Sequence, residues 1–311
     1  MRTVYLGTSD FAAAILRRLA DSPHRPQLVV TRPDRPKGRG RKLQSPPVAD
    51  AARELGIDLD QPDDVNGEQA RVRIAQARPD AVVVCAFGAL VKEPLLSEHE
   101  ILNVHPSLLP RWRGAAPVER ALMAGDTETG VAIMRLTAGL DSGPVCLLER
   151  TPVDPRETYG TLAPRLERIG GDLLVRALDE RPPFAEQPEE GVTYAEKIGA
   201  EDRTLDPARD DATTLDRVIR ALTPHIGARL PLPASDPPAF LGVAEAVPLT
   251  ADDLAALAVP VPAPGALAAA GERLLLGAAD ATALELLRVQ PPGGRPMSAA
   301  DYLRGRGLPG T

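Results

Sequence analysis

The first hundred or so residues alternate short, mainly apolar runs with stretches of helical periodicity, and this alternation narrows the possible folds more than any other feature. TVYLG (3–7) is long enough for a buried strand and too short for a stable helix. Thr8, Ser9 and Asp10 can cap a helix begun directly after them, in which Phe11, Ile15, Leu16 and Leu19 return to one face. Strand-like runs recur at 27–31 (QLVVT), 81–86 (AVVVCA) and 100–104 (EILNV), with helical segments near 46–55 and 67–77 between them. Strands this apolar need cover on both faces, and interleaved helices supply it, so the pattern predicts an α/β domain on a parallel sheet.

Further along, the spacing predicts a helix over 116–125, strands at 129–136 and 144–150, and a long helix over about 158–179. Residues 181–190 are then rich in proline and charge, as a domain boundary should be. The expected division is a first domain over 1–190, a linker over 191–205 and a second domain over 206–311. In the latter, nine prolines between 224 and 264 punctuate short strand-like pieces such as 273–278 and 283–290, which suggests a small β-barrel.

Composition removes several function classes. Aromatics are 3% of the chain, too few for a platform that stacks successive bases. A net charge of −7 rules out a wholly basic surface, so an anionic partner must be met locally. One segment qualifies: 31–43, TRPDRPKGRGRKL, has six basic residues against Asp34 alone, with Gly38 and Gly40 loosening it. Cys85 and Cys146 show neither metal-ligand spacing nor a disulfide framework, and no metal is expected. The absence of a signal-like apolar segment and of a membrane-spanning run predicts a cytoplasmic protein with no membrane partner.

The chemistry-bearing region is ILNVHPSLLPRWRGAAP (101–117) together with AGLDSG (138–143). Asn103 and His105 lie two apart at the end of a strand, so both side chains leave the same face. In open α/β sheets that end borders the ligand crevice. An amide donor beside an imidazole suits a carbonyl that becomes an oxyanion, and Asp141, in a glycine-flanked turn, could orient the ring. Taken singly, each residue also has a structural reading: a strand histidine satisfied in the core, and an asparagine and an aspartate that close turns.

NVHPSLLPRWRGAAPVERAL followed by GDTETGVAIMRLTAGLDSGPV resembles the formyltransferase family that uses 10-formyltetrahydrofolate, whose signature joins Asn-x-His-x-Ser-Leu-Leu-Pro to an Asp in a Gly-x-Asp-x-Gly turn. YLGTSDFAA at the start, TRPDRPKGRGRKLQSPPV at 31–48 and RPMSAADYLRG near the end resemble the branch whose acceptor is methionyl initiator tRNA. The resemblance implies a Rossmann-like catalytic domain followed by an OB-like β-barrel. It implies Asn103, His105 and Asp141 as the catalytic group and Ser107, Leu108, Leu109 and Pro110 as a wall of the folate site. Arg35, Lys37, Arg39, Arg41 and Lys42 would face the tRNA. The co-substrate would be 10-formyltetrahydrofolate, the partners initiator methionyl-tRNA and the folate, with no DNA.

The chain departs from the family pattern at Ser9, Phe87, Leu205-Asp206 and Pro224–Gly227, and residues 205–311 hold 9 basic against 12 acidic side chains. The rival acceptor is a sugar nucleotide or another small amine, for which a basic loop and an appended barrel would have no use. A non-catalytic folate- or RNA-binding protein on the same scaffold would leave the joint presence of Asn103, His105 and Asp141 without purpose.

Overall fold

The computed structural model describes residues 1–37, 42–232, 239–257 and 259–308. They form two compact units. The first comprises Met1–Pro117, Glu128–Val153 and Ala163–Glu196; the second comprises Val118–Thr127, Asp154–Leu162 and the chain from Lys197 onward.

The chain opens with β1 (Thr3–Gly7), α1 (Asp10–Ala20) and β2 (Pro26–Val30). The Ser9 side chain caps α1 by accepting from the Ala12 amide, as the Thr-Ser-Asp run predicts. A short hairpin of β3 (Arg35–Lys37) and β4 (Lys42–Gln44) precedes α2 (Pro47–Leu55), β5 (Asp58–Asp60), α3 (Glu68–Gln76) and β6 (Ala81–Cys85). Next come α4 (Leu95–Glu98), β7 (Ile101–His105), β8 (Arg113–Gly114), α5 (Pro117–Ala124), β9 (Glu128–Arg135), β10 (Val145–Pro152), α6 (Tyr159–Glu180) and β11 (Tyr194–Ala195).

Among the described residues, the main sheet of the first unit has the order β10-β9-β7-β6-β1-β2-β5. The strands from β7 to β5 run parallel, as the alternation requires. The two later strands, which flank the AGLDSG turn, add an antiparallel edge to this parallel sheet: β9 is antiparallel to β7 and β10 to β9. All residues of β1, β6 and β7 are buried. Val4 and Leu6 meet Ile74 of α3 and Leu95 of α4. Tyr5 turns to the opposite face, where its hydroxyl donates to the Ala12 carbonyl of α1.

In the second unit α7 (Ala212–Leu222) is followed by β12 (Ala228–Leu232), β13 (Ala239–Leu249), α8 (Ala251–Leu257), β14 (Leu267–Ala270), β15 (Arg273–Gly277), β16 (Ala283–Gln290), β17 (Met297–Ser298) and α9 (Ala299–Arg306). The strands form an antiparallel sheet in the order β12-β13-β16-β15-β14, with β17 on β16. Leu215, Ile219 and Leu222 of α7 and Tyr302 of α9 join Leu241, Val243, Leu274, Leu284 and Leu286 in one core. Each such fully buried leucine contributes about 1.5–3 kcal/mol. Asp216, buried in α7, is gripped by Arg156 and Arg220, both 2.8 Å away. No helix among the described residues is long and apolar enough to cross a membrane.

Candidate active site

Strand β7 delivers Asn103 and His105 to the carboxyl end of the parallel strands, wedged between β6 and β9: Asn103 is opposite Val84 and Met134, and His105 is opposite Ala132. Both are buried, at 7% and 4% exposure. Asp141 arrives from the turn between β9 and β10. Its backbone has φ 43°, the left-handed region that costs a non-glycine residue about 1–2 kcal/mol. The turn closes tightly because residue 143 is glycine; a Cβ there would lie 2.0 Å from the Arg135 carbonyl.

The three side chains meet around the Asp141 carboxylate. Its Oδ2 accepts from the Gly114 amide at 2.8 Å, and its Oδ1 is 3.4 Å from Asn103 Nδ2. His105 Nδ1 stands 3.6 Å from Oδ2, a charge-pair distance too long for a hydrogen bond. The other ring nitrogen, Nε2, is 2.8 Å from the Trp112 carbonyl. A carbonyl only accepts, so Nε2 carries the proton and Nδ1 faces the carboxylate. The cluster therefore offers an amide donor, an imidazole with a fixed Nε2–H, and a carboxylate placed to stabilise positive charge on the ring.

The segment after β7 makes this arrangement. Trp112 has φ 63°, which aims its carbonyl back at His105, and its own amide donates to Thr193 Oγ1 at 2.9 Å. Strand β8 then pairs in parallel with β11. Gly114 is required there, with φ 123° and a hypothetical Cβ only 2.7 Å from the Ala195 carbonyl. The Arg111 guanidinium stacks on the Trp112 ring at 4.4 Å.

Of the expected folate wall, Ser107 is fully buried with its hydroxyl donating to the Arg111 carbonyl at 2.6 Å. Leu109 is buried with Ala132 and Met134. Leu108 and Pro110 are half-buried and keep free surface. Of the basic segment, Arg35 is exposed on β3, Lys37 pairs with Lys42 across the hairpin, and Arg39 and Arg41 lie outside the described residues. Burial pushes the Cys85 thiol up to about 12, which makes it inert core filler.

Sequence reasoning misses the Trp112 carbonyl, the Gly114 amide and the Gln187 side chain, whose Nε2 donates to the Asp141 and Gly143 carbonyls at 2.8 and 2.7 Å. The glycine after Arg-Trp-Arg is a signal for the second, since it marks a close backbone approach. The other two leave none.

The family described as "Formyl transferase" matches residues 1–178, and "Formyl transferase, C-terminal domain" matches 197–307. A protein of Halorhodospira halophila named methionyl-tRNA formyltransferase is 43% identical over 313 residues, covering 99% of this chain and 97% of that protein. One of Gluconobacter oxydans with the same name is 42% identical, covering 99% and 98%. Among solved structures, HypX from Aquifex aeolicus in complex with tetrahydrofolic acid shares the fold at a TM-score of 0.64 and 18% identity, over 100% of this chain and 48% of that one. Matched in both halves and by relatives over nearly its whole length, the chain belongs to the formyl transferase family.

Proposed function

We propose that the protein transfers a formyl group from 10-formyltetrahydrofolate to the α-amine of methionine esterified to initiator tRNA. The observation that carries this reading is the convergence of Asn103, His105 and Asp141 at the carboxyl end of the sheet. The choice of acceptor is supported by the full-length likeness to proteins named methionyl-tRNA formyltransferase.

The neutral amine attacks the formyl carbon, and negative charge grows on the formyl oxygen. Asn103 Nδ2 supplies a hydrogen bond to it, and His105 does so through Nδ1 once that nitrogen has taken up a proton, since its Nε2–H is held by the Trp112 carbonyl; losing one such donor typically costs about 3 kcal/mol. Positive charge on the imidazole is held by the Asp141 carboxylate 3.6 Å from Nδ1. The proton lost by the amine passes through this pair to N10 of tetrahydrofolate as the bond from that nitrogen to the formyl carbon breaks. The folate ring system lies against the Ser107–Pro110 segment, where Leu108 and Pro110 offer apolar surface and proline fixes the backbone.

The basic segment with Arg35, Lys37, Arg39, Arg41 and Lys42 grips tRNA phosphates. Incubating the protein with charged initiator tRNA and 10-formyltetrahydrofolate should yield N-formylmethionine. No formylmethionine, with formylation of an amino-sugar nucleotide instead, would overturn the acceptor.

A further inference from the structure

Residues 181–190 read in the sequence as a proline- and charge-rich boundary and 191–205 as a linker, yet residues 182–195 are bound to the rest of the first unit in three places. Val145 and Ala185 exchange backbone hydrogen bonds of 2.8 and 2.9 Å. Residues 193–195 pair with the chain from Trp112 to Ala115. Between these two attachments, the Gln187 side chain enters the Asp141 turn.

There its amide is fully used. One Nε2 proton goes to the Asp141 carbonyl at 2.8 Å and the other to the Gly143 carbonyl at 2.7 Å. Oε1 accepts from Nε of the buried Arg113 at 3.0 Å. Two carbonyls converging on one point repel each other unless donors stand between them, and a primary amide is the side chain that brings two donors there while accepting a third bond. The turn it braces holds Asp141 in a backbone conformation that non-glycine residues avoid. Arg113, which holds Gln187, is adjacent in the chain to both Trp112 and Gly114. One side chain thus ties the turn carrying the carboxylate to the segment carrying that carboxylate's amide donor and the carbonyl partner of His105.

We infer that Gln187 is a positioning residue for formyl transfer: it fixes the 141–143 turn so that the Asp141 carboxylate stands against Asn103, His105 and the Gly114 amide. This rests on the reading of Asp141 as part of the catalytic group. Gln187→Met keeps the side-chain length and removes all three hydrogen bonds. Gln187→Glu sets carboxylate oxygens against two carbonyls at neutral pH and regains one donor on taking up a proton.

The experiment measures steady-state formylation of methionyl-tRNA by both variants, with melting temperature as a check on folding. Gln187→Met should lower kcat about tenfold or more and change either KM by less than about twofold, since misplaced groups cost rate more than binding. For Gln187→Glu, the ratio of its kcat to that of the wild type should rise as the pH falls through the carboxyl range, about pH 6 to 4. The corresponding ratio for Gln187→Met should stay flat. A purely structural brace would not produce that difference. Wild-type kcat in Gln187→Met, or a flat ratio for Gln187→Glu, overturns the inference. Full activity of Asp141→Asn in the same assay would overturn the underlying reading instead.

Discussion

Replacing Asp141 by asparagine changes one oxygen to an NH2 group and leaves the size of the side chain untouched, so its cost can be worked from the geometry. Oδ2 accepts from the Gly114 amide and faces His105 Nδ1, while Oδ1 faces Asn103 Nδ2. An amide has one acceptor atom. If it stays on Gly114, the new NH2 confronts the NH2 of Asn103; if it turns to Asn103, the NH2 confronts the Gly114 amide. Either way a buried donor is stranded, at a cost of about 1–3 kcal/mol. The larger effect is the lost charge. A carboxylate and an imidazolium 3.6 Å apart attract by about 4.6 kcal/mol at an effective dielectric constant of about 20, equivalent to more than about 10³-fold in rate. That imidazolium is needed as the formyl oxygen becomes negative, so the loss falls on kcat. Formylation should be measured at saturating folate and tRNA, with circular dichroism confirming the fold. A folded Asp141→Asn enzyme within about tenfold of wild-type kcat would refute the use of this charge.

Replacing Arg39, Arg41 and Lys42 together by alanine should weaken tRNA binding and flatten its salt dependence by about 0.9 in log–log slope for each phosphate no longer neutralised, while binding of tetrahydrofolate is unchanged. Unaltered affinity across the salt range would make the segment a solvated face. Cys85, its thiol pushed up to about 12 by burial, should resist alkylation at neutral pH in the folded protein and react after denaturation, as mass spectrometry of the modified peptide would show. The hydrogen bond from Arg120 holds the Asp202 carboxyl below its ordinary range. Its stabilising contribution is therefore present above the unfolded carboxyl's titration near about pH 4 and lost as the pH falls through the lower folded value. Asp202→Asn should lower the melting temperature by about 1–3 °C at neutral pH, with the gap closing on acidification; an equal gap at both extremes would refute the coupling.

The parallel core of the first unit is readable in the sequence because β1, β6 and, apart from Asn103 and His105, β7 are mainly apolar, and the helices that cover them announce themselves by period and cap. Strand direction is not readable from side chains, which alternate identically in parallel and antiparallel pairs. A clue does exist at β9 and β10: only residues 136–144 separate them, too few for the crossover a parallel pair needs. In the second unit α7, which precedes the proline-rich stretch, is also legible: Asp211 caps it and Leu215, Ile219 and Leu222 follow a helical period.

The candidate site divides along a similar line. Asn103 and His105 can be read because a spacing of two on a strand fixes a shared face, and Asp141 because its flanking glycines mark a tight turn. The partners that hold them are different in kind. Every residue has a backbone carbonyl, so nothing in the sequence singles out that of Trp112 as the acceptor for His105. What makes it one is φ 63°, and tryptophan has no intrinsic preference for that conformation. The Thr193 hydroxyl on the Trp112 amide and the pairing of β8 with β11 impose it, and both depend on residues about eighty positions later in the chain. Gln187 likewise becomes informative only once the 182–195 segment has folded back onto the turn it braces. The reacting groups are thus set by local spacing, whereas their orientation is set by tertiary closure, and mutations in the apparently featureless connector should alter rate before they alter fold.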